Sequence, residues 1–335
     1  MIIKAKAYAR AALIGNPSDG YFGKTISFTF SNFSATVVLY ETPELEIIPA
    51  QRDSSIFSSI DALVDDVSLF GYYGGIRLLK AAIKRFRDYT VENGINLPGR
   101  NFTIRYESSI PNLVGLAGSS AIITACFRAL MSFYGITIPK PELANIIRDT
   151  ELCELGISAG LQDRVIQVYE GLVYMDFDKT LIEKQGFGNY EYLDKSKLPN
   201  IYIAYRTDLS EISDVFHNNI RVRFDAGDKQ IVEAMKFWAD ITEEAKECLN
   251  NGNTDKLSKL MDANFDKRAS IYKLSDGNLR MVKVSRECGA SAKFTGSGGA
   301  IIGIYKDEEM FRKLSEELGK ISVQVIKPEI AGPNQ

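Results

Sequence analysis

One histidine, His217, is all that the 335 residues contain. That scarcity excludes metal centres built from several histidines and argues against a Ser-His-Asp hydrolase. Cysteine is sparse too: Cys126, Cys153, Cys248 and Cys288 are widely spaced and form no C-x-x-C pair. They read as buried, reduced thiols, not as a disulfide frame or a zinc site. No stretch is apolar for long enough to span a bilayer, and Met1 to Lys6 lacks the apolar core and cleavage site of a signal peptide. Neither charge is in excess; a net charge of −3 argues against a general nucleic-acid binder. The basic run from Lys80 to Arg87 has helical spacing and reads as a solvated helix face. There is no internal repeat and no low-complexity segment. The expectation is a cytoplasmic enzyme, away from membranes, working with carboxylates, Lys, Arg, hydroxyls and backbone dipoles.

What is present is ordinary globular material: 45% hydrophobic and 25% charged residues, in a chain long enough for two domains. Ile2 to Ile14, Thr25 to Tyr40 and Glu44 to Ile48 read as strands. Residues 51–70 read as loop and helix. An amphipathic helix is expected from Ile76 to Asn93, a strand from Asn101 to Glu107, and an apolar helix from Ser120 to Phe133. Another helix runs from Pro139 to about Leu155. Strands follow at Val165 to Tyr169 and Gly171 to Phe177, then a connector at 178–196. The second half reads as a strand (Asn200 to Tyr205) and helices (Lys229 to Asn250, Thr254 to Leu274, Gly277 to Cys288). After these come a strand (Ala300 to Tyr305), a helix (Glu308 to Leu318) and a strand (Val323 to Ile326). The mixture is α+β, with the active site expected between two domains.

The most informative stretch is Pro111-Asn-Leu-Val-Gly115-Leu116-Ala117-Gly118-Ser119-Ser120-Ala121. It joins a strand to a helix, and its small residues let a ligand approach the backbone. The free N–H groups of the first helical turn and the positive end of the helix dipole favour an anion. Ser119 and Ser120 add hydroxyls suited to phosphate or a metal ion. No Gly-Lys-Ser/Thr closes the motif, so this is not a P-loop. A second glycine run, Lys293-Phe-Thr-Gly296-Ser297-Gly298-Gly299-Ala300, stands before a strand. Two such runs suggest two walls of one phosphate site.

These two runs, with Ala9-Arg10-Ala-Ala-Leu-Ile-Gly-Asn16-Pro17-Ser-Asp19, resemble in order the three motifs of the GHMP kinase superfamily. Ile14 to Ser27, Gly71 to Gly75, Ala159 to Arg164 and Gly171 to Phe177 look most like its glucuronokinase branch. The likeness covers about residues 5–326. It implies an N-terminal ATP-binding domain with a left-handed β-α-β unit (1–180) and a ferredoxin-like C-terminal domain (181–335). It also implies ATP, magnesium and a sugar 1-kinase acting on glucuronate. Galacturonate, galactose or a mevalonate-type alcohol are the alternative substrates, and a non-catalytic sensor of sugar or nucleotide is the alternative class. Where the motif usually reads Gly-Leu-Gly-Ser-Ser this chain has Ala117, which is expected to keep φ below zero.

On this resemblance Asp163 matches the carboxylate that accepts the proton of the attacking hydroxyl, and Arg10 the basic residue beside the reacting centre. Gly115 to Ala121 would cradle the ATP phosphates. Ser120 and Glu151 fit the magnesium ligands, with Glu154 as a neighbour. Asp19 would accept from sugar hydroxyls. A uronate carboxylate needs a cation, for which Arg164, Lys24 and then Arg206 are candidates. Tyr21, Tyr169 and Tyr174 are candidate pocket walls, and Gly296, Ser297, Gly298 and Gly299 would close the site. Position alone suggests Ser54 to Ser68 for adenine. A monomer or homodimer is expected.

Overall fold

The first strand, β1 (Ile2–Ile14), alternates at its start and is buried on both faces from Ala9 onward. Alanines at 9, 11 and 12 make that double burial possible because they need little room. The computed structural model describes residues 1–50, 53, 74–207 and 217–332. The proposed adenine segment, Ser54 to Ser68, and the loop and helix expected at 51–70 lie outside these, apart from Asp53.

Two compact units make up the chain: 1–9, 33–110 and 117–168 in the first, and 10–32, 111–116 and 169–335 in the second. In the first, the later part of β2 (Lys24–Thr42) pairs antiparallel with β4 (Asn101–Ser108), Ala35 opposite Ser108. The short β3 (Glu46–Ile47) adds to β4 in parallel, with α1 (Gly75–Glu92) between them in sequence. The helix α2 (Gly118–Tyr134) is apolar nearly all round and accordingly buried; Phe127 meets Phe86 of α1 edge-on at 6.1 Å.

The helix expected from Pro139 to Leu155 is not one regular helix. It is α3 (Lys140–Asp149) followed by a π-helical turn, Thr150–Glu154, a form found mostly as single turns and often at functional sites. The strand expected at Val165 to Tyr169 is in fact the helix α4 (Gln162–Tyr169). Its β-branched residues favour a strand, but Val165, Ile166, Gln167 and Val168 are all buried, and packing overrides that weak preference.

In the second unit Lys24–Phe28 of β2 pairs antiparallel with β5 (Leu172–Asp176), which pairs with β6 (Asn189–Tyr192). The stretch 178–196, expected to be a connector, therefore carries a strand and also α5 (Lys179–Gln185), capped by the Asp178 carboxylate. Then come β7 (Ile201–Arg206), α6 (His217–Asp225), α7 (Lys229–Asn251), α8 (Thr254–Ala269) and α9 (Asp276–Glu287). The chain continues through β8 (Lys293–Phe294), β9 (Ala300–Ile304), α10 (Glu308–Gly319) and β10 (Val323–Ile326). The sheet order β10-β7-β9-β8, antiparallel throughout, is that of the ferredoxin-like split β-α-β. Tyr202, Phe265, Met281, Phe294, Ile301 and Leu314 lie in its core. Asp228, Asn253, Ser275 and Asp307 cap four of its helices, fixing where each begins.

Candidate active site

The loop between β4 and α2 turns through three left-handed residues, Leu113 (φ 57°), Gly115 (φ 68°) and Ala117 (φ 62°). The expectation that Ala117 keeps φ below zero is overturned. Its carbonyl accepts from Gln167 Nε2 (2.9 Å), Ala121 N (3.2 Å) and Ser120 Oγ (3.3 Å), which together hold the residue in place. Gln167, buried on α4, also reaches the carbonyl of Tyr8. The helix starts with no side-chain cap, so the N–H groups of Gly118, Ser119 and Ser120 have no intrahelical acceptor and face an anion-favouring dipole. A left-handed alanine costs about 1–2 kcal/mol. Replacing Ala117 with glycine is expected to raise the melting temperature, the gain being reduced by the greater freedom of an unfolded glycine. A lower melting point would mean that the methyl group packs more than it strains.

The two glycine runs touch. A Cβ at Gly115 would stand 2.6 Å from the Gly298 carbonyl, and one at Gly296 would stand 2.6 Å from the Gly115 carbonyl. Arg10 holds them together: buried in β1, it donates through Nη1 to the carbonyls of Gly115 (2.7 Å) and Thr295 (3.0 Å). From the other side Arg268, which is 2% exposed, donates to the carbonyls of Gly296 (2.9 Å) and Ser297 (3.3 Å). Asn16 Nδ2 also donates to Gly296 (3.3 Å), and Asn264 ties down Gly15 and Asn16. Lys293 is fully buried and donates to the carbonyls of Ala12 and Phe294, both at 2.7 Å. Burial, then the charges of Arg268 and Arg10, push its ammonium well below the ordinary lysine range. A Gly296→Ala change should therefore cost about 1–3 kcal/mol by overpacking and lower turnover with it. An undisturbed melting curve would show that the runs can part.

Asp163 lies in the first turn of α4, partly exposed, with Oδ2 at 3.5 Å from Arg164 Nη1 and Oδ1 at 3.4 Å from Gln162 Nε2. Arg164 is buried. Its Nε donates to Glu151 (2.6 Å), its Nη2 contacts the same oxygen, and its Nη1 donates to the Gly160 carbonyl (3.0 Å). The π-helical turn aims Glu151 at it. Burial pushes the Glu151 carboxyl up, and Arg164 pulls it back. Glu154 instead pairs at the surface with Lys84 (2.8 Å).

Asp19 and Tyr21 share a one-turn 3₁₀ helix, Ser18–Tyr21. Burial lifts the Tyr21 hydroxyl, with Arg221 opposing and Asp19 adding. Lys24 contacts Glu243 and lies 3.2 Å from Asp176, while Tyr174 donates to Glu243 (2.7 Å). Burial works against the Lys24 charge, but Glu243, Tyr174 and Asp176 outweigh it and hold the ammonium above its usual range. Tyr169 packs edge-on against Tyr190. Arg206 donates its backbone N–H to the Gly299 carbonyl (3.0 Å).

Ser119, Ser120, Glu151, Asp163 and Arg164 belong to the first unit; Arg10, Asp19, Tyr21, Lys24, Gly115 and the 296–299 run belong to the second. Sequence reasoning missed Asn16, Gln167, Arg221, Asn264 and Arg268. Lys293 stood inside the motif and was a visible signal; Arg268 looked like any charge in a last helical turn. Among the described residues, no group of three or more His, Cys, Asp and Glu side chains forms a metal centre. Of the two oxygens of Glu151, one is taken by Arg164, so a magnesium ion expected at Ser120 and Glu151 would have the other carboxylate oxygen, the Ser120 hydroxyl, phosphates and water as ligands.

The model of the GHMP kinases N terminal domain matches residues 77–171, and that of the GHMP kinases C terminal matches 245–321. The chain is 42% identical over 334 residues to a probable glucuronokinase 2 of Arabidopsis thaliana, covering 98% of this chain and 91% of that one. It is 43% identical over 321 residues to glucuronokinase 1 of the same plant, covering 94% and 88%. The fold is also that of the Lactococcus lactis galactokinase complexed with galactose, at a TM-score of 0.74 and 15% identity over 99% of this chain and 95% of that one.

Proposed function

The chain belongs to the GHMP kinase family, and from that membership we propose that it is an ATP-dependent sugar 1-kinase whose substrate is D-glucuronate. The products are glucuronate 1-phosphate and ADP. The observation that carries the reading is 43% identity to a glucuronokinase over 94% of the chain. Supporting it, an uncapped helix start and two touching glycine runs supply backbone donors and room where phosphates need both. The family matches at 77–171 and 245–321 support residues 1–180 as the ATP-binding domain and 181–335 as the second.

In the proposed reaction the anomeric oxygen attacks the γ-phosphorus, the bond to the bridging oxygen breaks, and ADP leaves. Asp163 accepts the hydroxyl proton. Arg10 keeps the phosphate loop against the second glycine run through the carbonyls of Gly115 and Thr295, and so works as a positioning residue. The transition state of phosphoryl transfer is loose, so this positioning carries much of the catalysis. Ser120 and Glu151 would hold magnesium, which neutralises phosphate charge. Among the described residues, no helix is long and apolar enough to cross a membrane; the four free thiols support a cytoplasmic setting, although Cys153 is exposed and not buried as expected.

The test is ATP consumption with magnesium against glucuronate, galacturonate, glucose, galactose and mevalonate. Selective turnover of glucuronate is the expected result. Selective turnover of any other member would replace the substrate and keep the phosphotransferase.

A further inference from the structure

A uronate differs from a neutral sugar by one carboxylate, so a kinase specific for it needs a cation with charge to spare. Two sequence candidates are committed elsewhere: Arg164 to Glu151 and Asp163, and Lys24 to Glu243 and Asp176. Arg268 gives both terminal nitrogens to the carbonyls of Gly296 and Ser297 and is buried.

Arg221, on α6, is different. Its guanidinium lies over the ring of Tyr21, 4.3 Å from the centroid, and its Nη2 donates to the Gly20 carbonyl. That places it against the short turn that carries Asp19. Phe224, from the same helix, packs edge-on against Tyr21 at 4.9 Å and fixes the ring that Arg221 rests on. Among the described residues, the carboxylate in ion-pairing range of it is Asp225, at 3.9 Å and itself 62% exposed, and the Arg221 side chain remains 46% exposed. It is thus anchored by the ring and the carbonyl while its ion pair stays long and exposed, and a planar guanidinium matches a carboxylate in two-point geometry.

We infer that Arg221 is the specificity-determining residue that reads the sugar carboxylate, while Asp19 on the same turn accepts from the ring hydroxyls. This rests on the uronate-kinase reading above. The two acid-bearing ends of the recognition are then complementary: the protein supplies an acceptor for hydroxyls and a donor for the carboxylate.

The experiment compares glucuronate with its neutral isostere glucuronamide in the native enzyme, Arg221→Met and Arg221→Lys. The native enzyme is expected to have a KM about 10–100-fold higher for the amide, the range of a lost charged hydrogen bond. Arg221→Met should raise the KM for glucuronate by about tenfold or more, change kcat little, and erase the preference for acid over amide. Arg221→Lys should restore part of it. An Arg221→Met enzyme that keeps the native preference, even with both KM values raised, overturns the inference, as does a native enzyme with no preference. No turnover of glucuronate by the native enzyme, beside turnover of another sugar, would instead sink the uronate reading itself.

Discussion

Replacing Asp163 with asparagine is expected to remove about 10²–10⁴-fold of turnover on glucuronate while leaving ATP binding near its native strength. The two side chains have the same shape, so the hydrogen bond from Gln162 needs little rearrangement, and the ion-pair contact with Arg164 at 3.5 Å becomes a neutral one. What disappears is an oxygen able to take the proton of the attacking hydroxyl. Phosphoryl transfer passes through a loose transition state in which that proton leaves late, which favours the lower part of the range. The helix dipole and Arg164 both favour a negative charge in the first turn of α4, so the variant should melt slightly below the native protein. Single-turnover rates and the affinity for a non-hydrolysable ATP analogue, measured side by side, separate the two effects. Native turnover in the variant would take Asp163 out of the chemistry, and a parallel loss of nucleotide affinity would make it a binding group.

Much of the backbone was legible because its signals are local. Ile2–Ile14 was readable because Gly15-Asn16-Pro17 ends its run of strand-forming residues, and the last strand was expected near Val323–Ile326, where it lies. The apolar stripe and glycine start of α2 likewise announce a helix and an anion site. Val165 to Tyr169 failed because four β-branched and aromatic residues around a single glutamine carry no period that separates a short buried helix from a strand. Ala117 failed for another reason: steric preference excludes the left-handed region only until neighbours supply donors, and Gln167, the longest-range of them, is 50 residues away. The charges of the candidate site were the least legible. Lys24 reads as a free cation until Glu243, 219 residues on, is seen beside it. Arg268 acquires its role from carbonyls 28 and 29 residues farther along. Sequence spacing ranks which residues can do chemistry; only folding decides which of them are already spent on each other.

The buried pair of Glu151 and Arg164 makes that distinction measurable. Both side chains are almost wholly out of water, at 2% and 7% exposure, so neither charge has solvent to fall back on. Arg164→Met should destabilise the protein by about 3–5 kcal/mol at neutral pH, because it leaves a buried carboxylate uncompensated. Burial already raises the Glu151 carboxyl from its ordinary value, and losing Arg164 removes the principal influence that lowers it. The folded variant should then hold a proton that its unfolded chain has released. A native state that binds more protons than the unfolded one loses stability as pH rises through the folded value, so the penalty is largest at neutral or alkaline pH and shrinks on acidification. The gap between native and Arg164→Met melting temperatures should therefore narrow as pH falls toward the ordinary glutamate range. Changing both residues to methionine should recover most of the loss at neutral pH, since a buried ion pair is often no better than an apolar one of similar volume. A gap that stays constant with pH would mean that Arg164 contributes by filling space and by its bond to the Gly160 carbonyl, not by matching a charge.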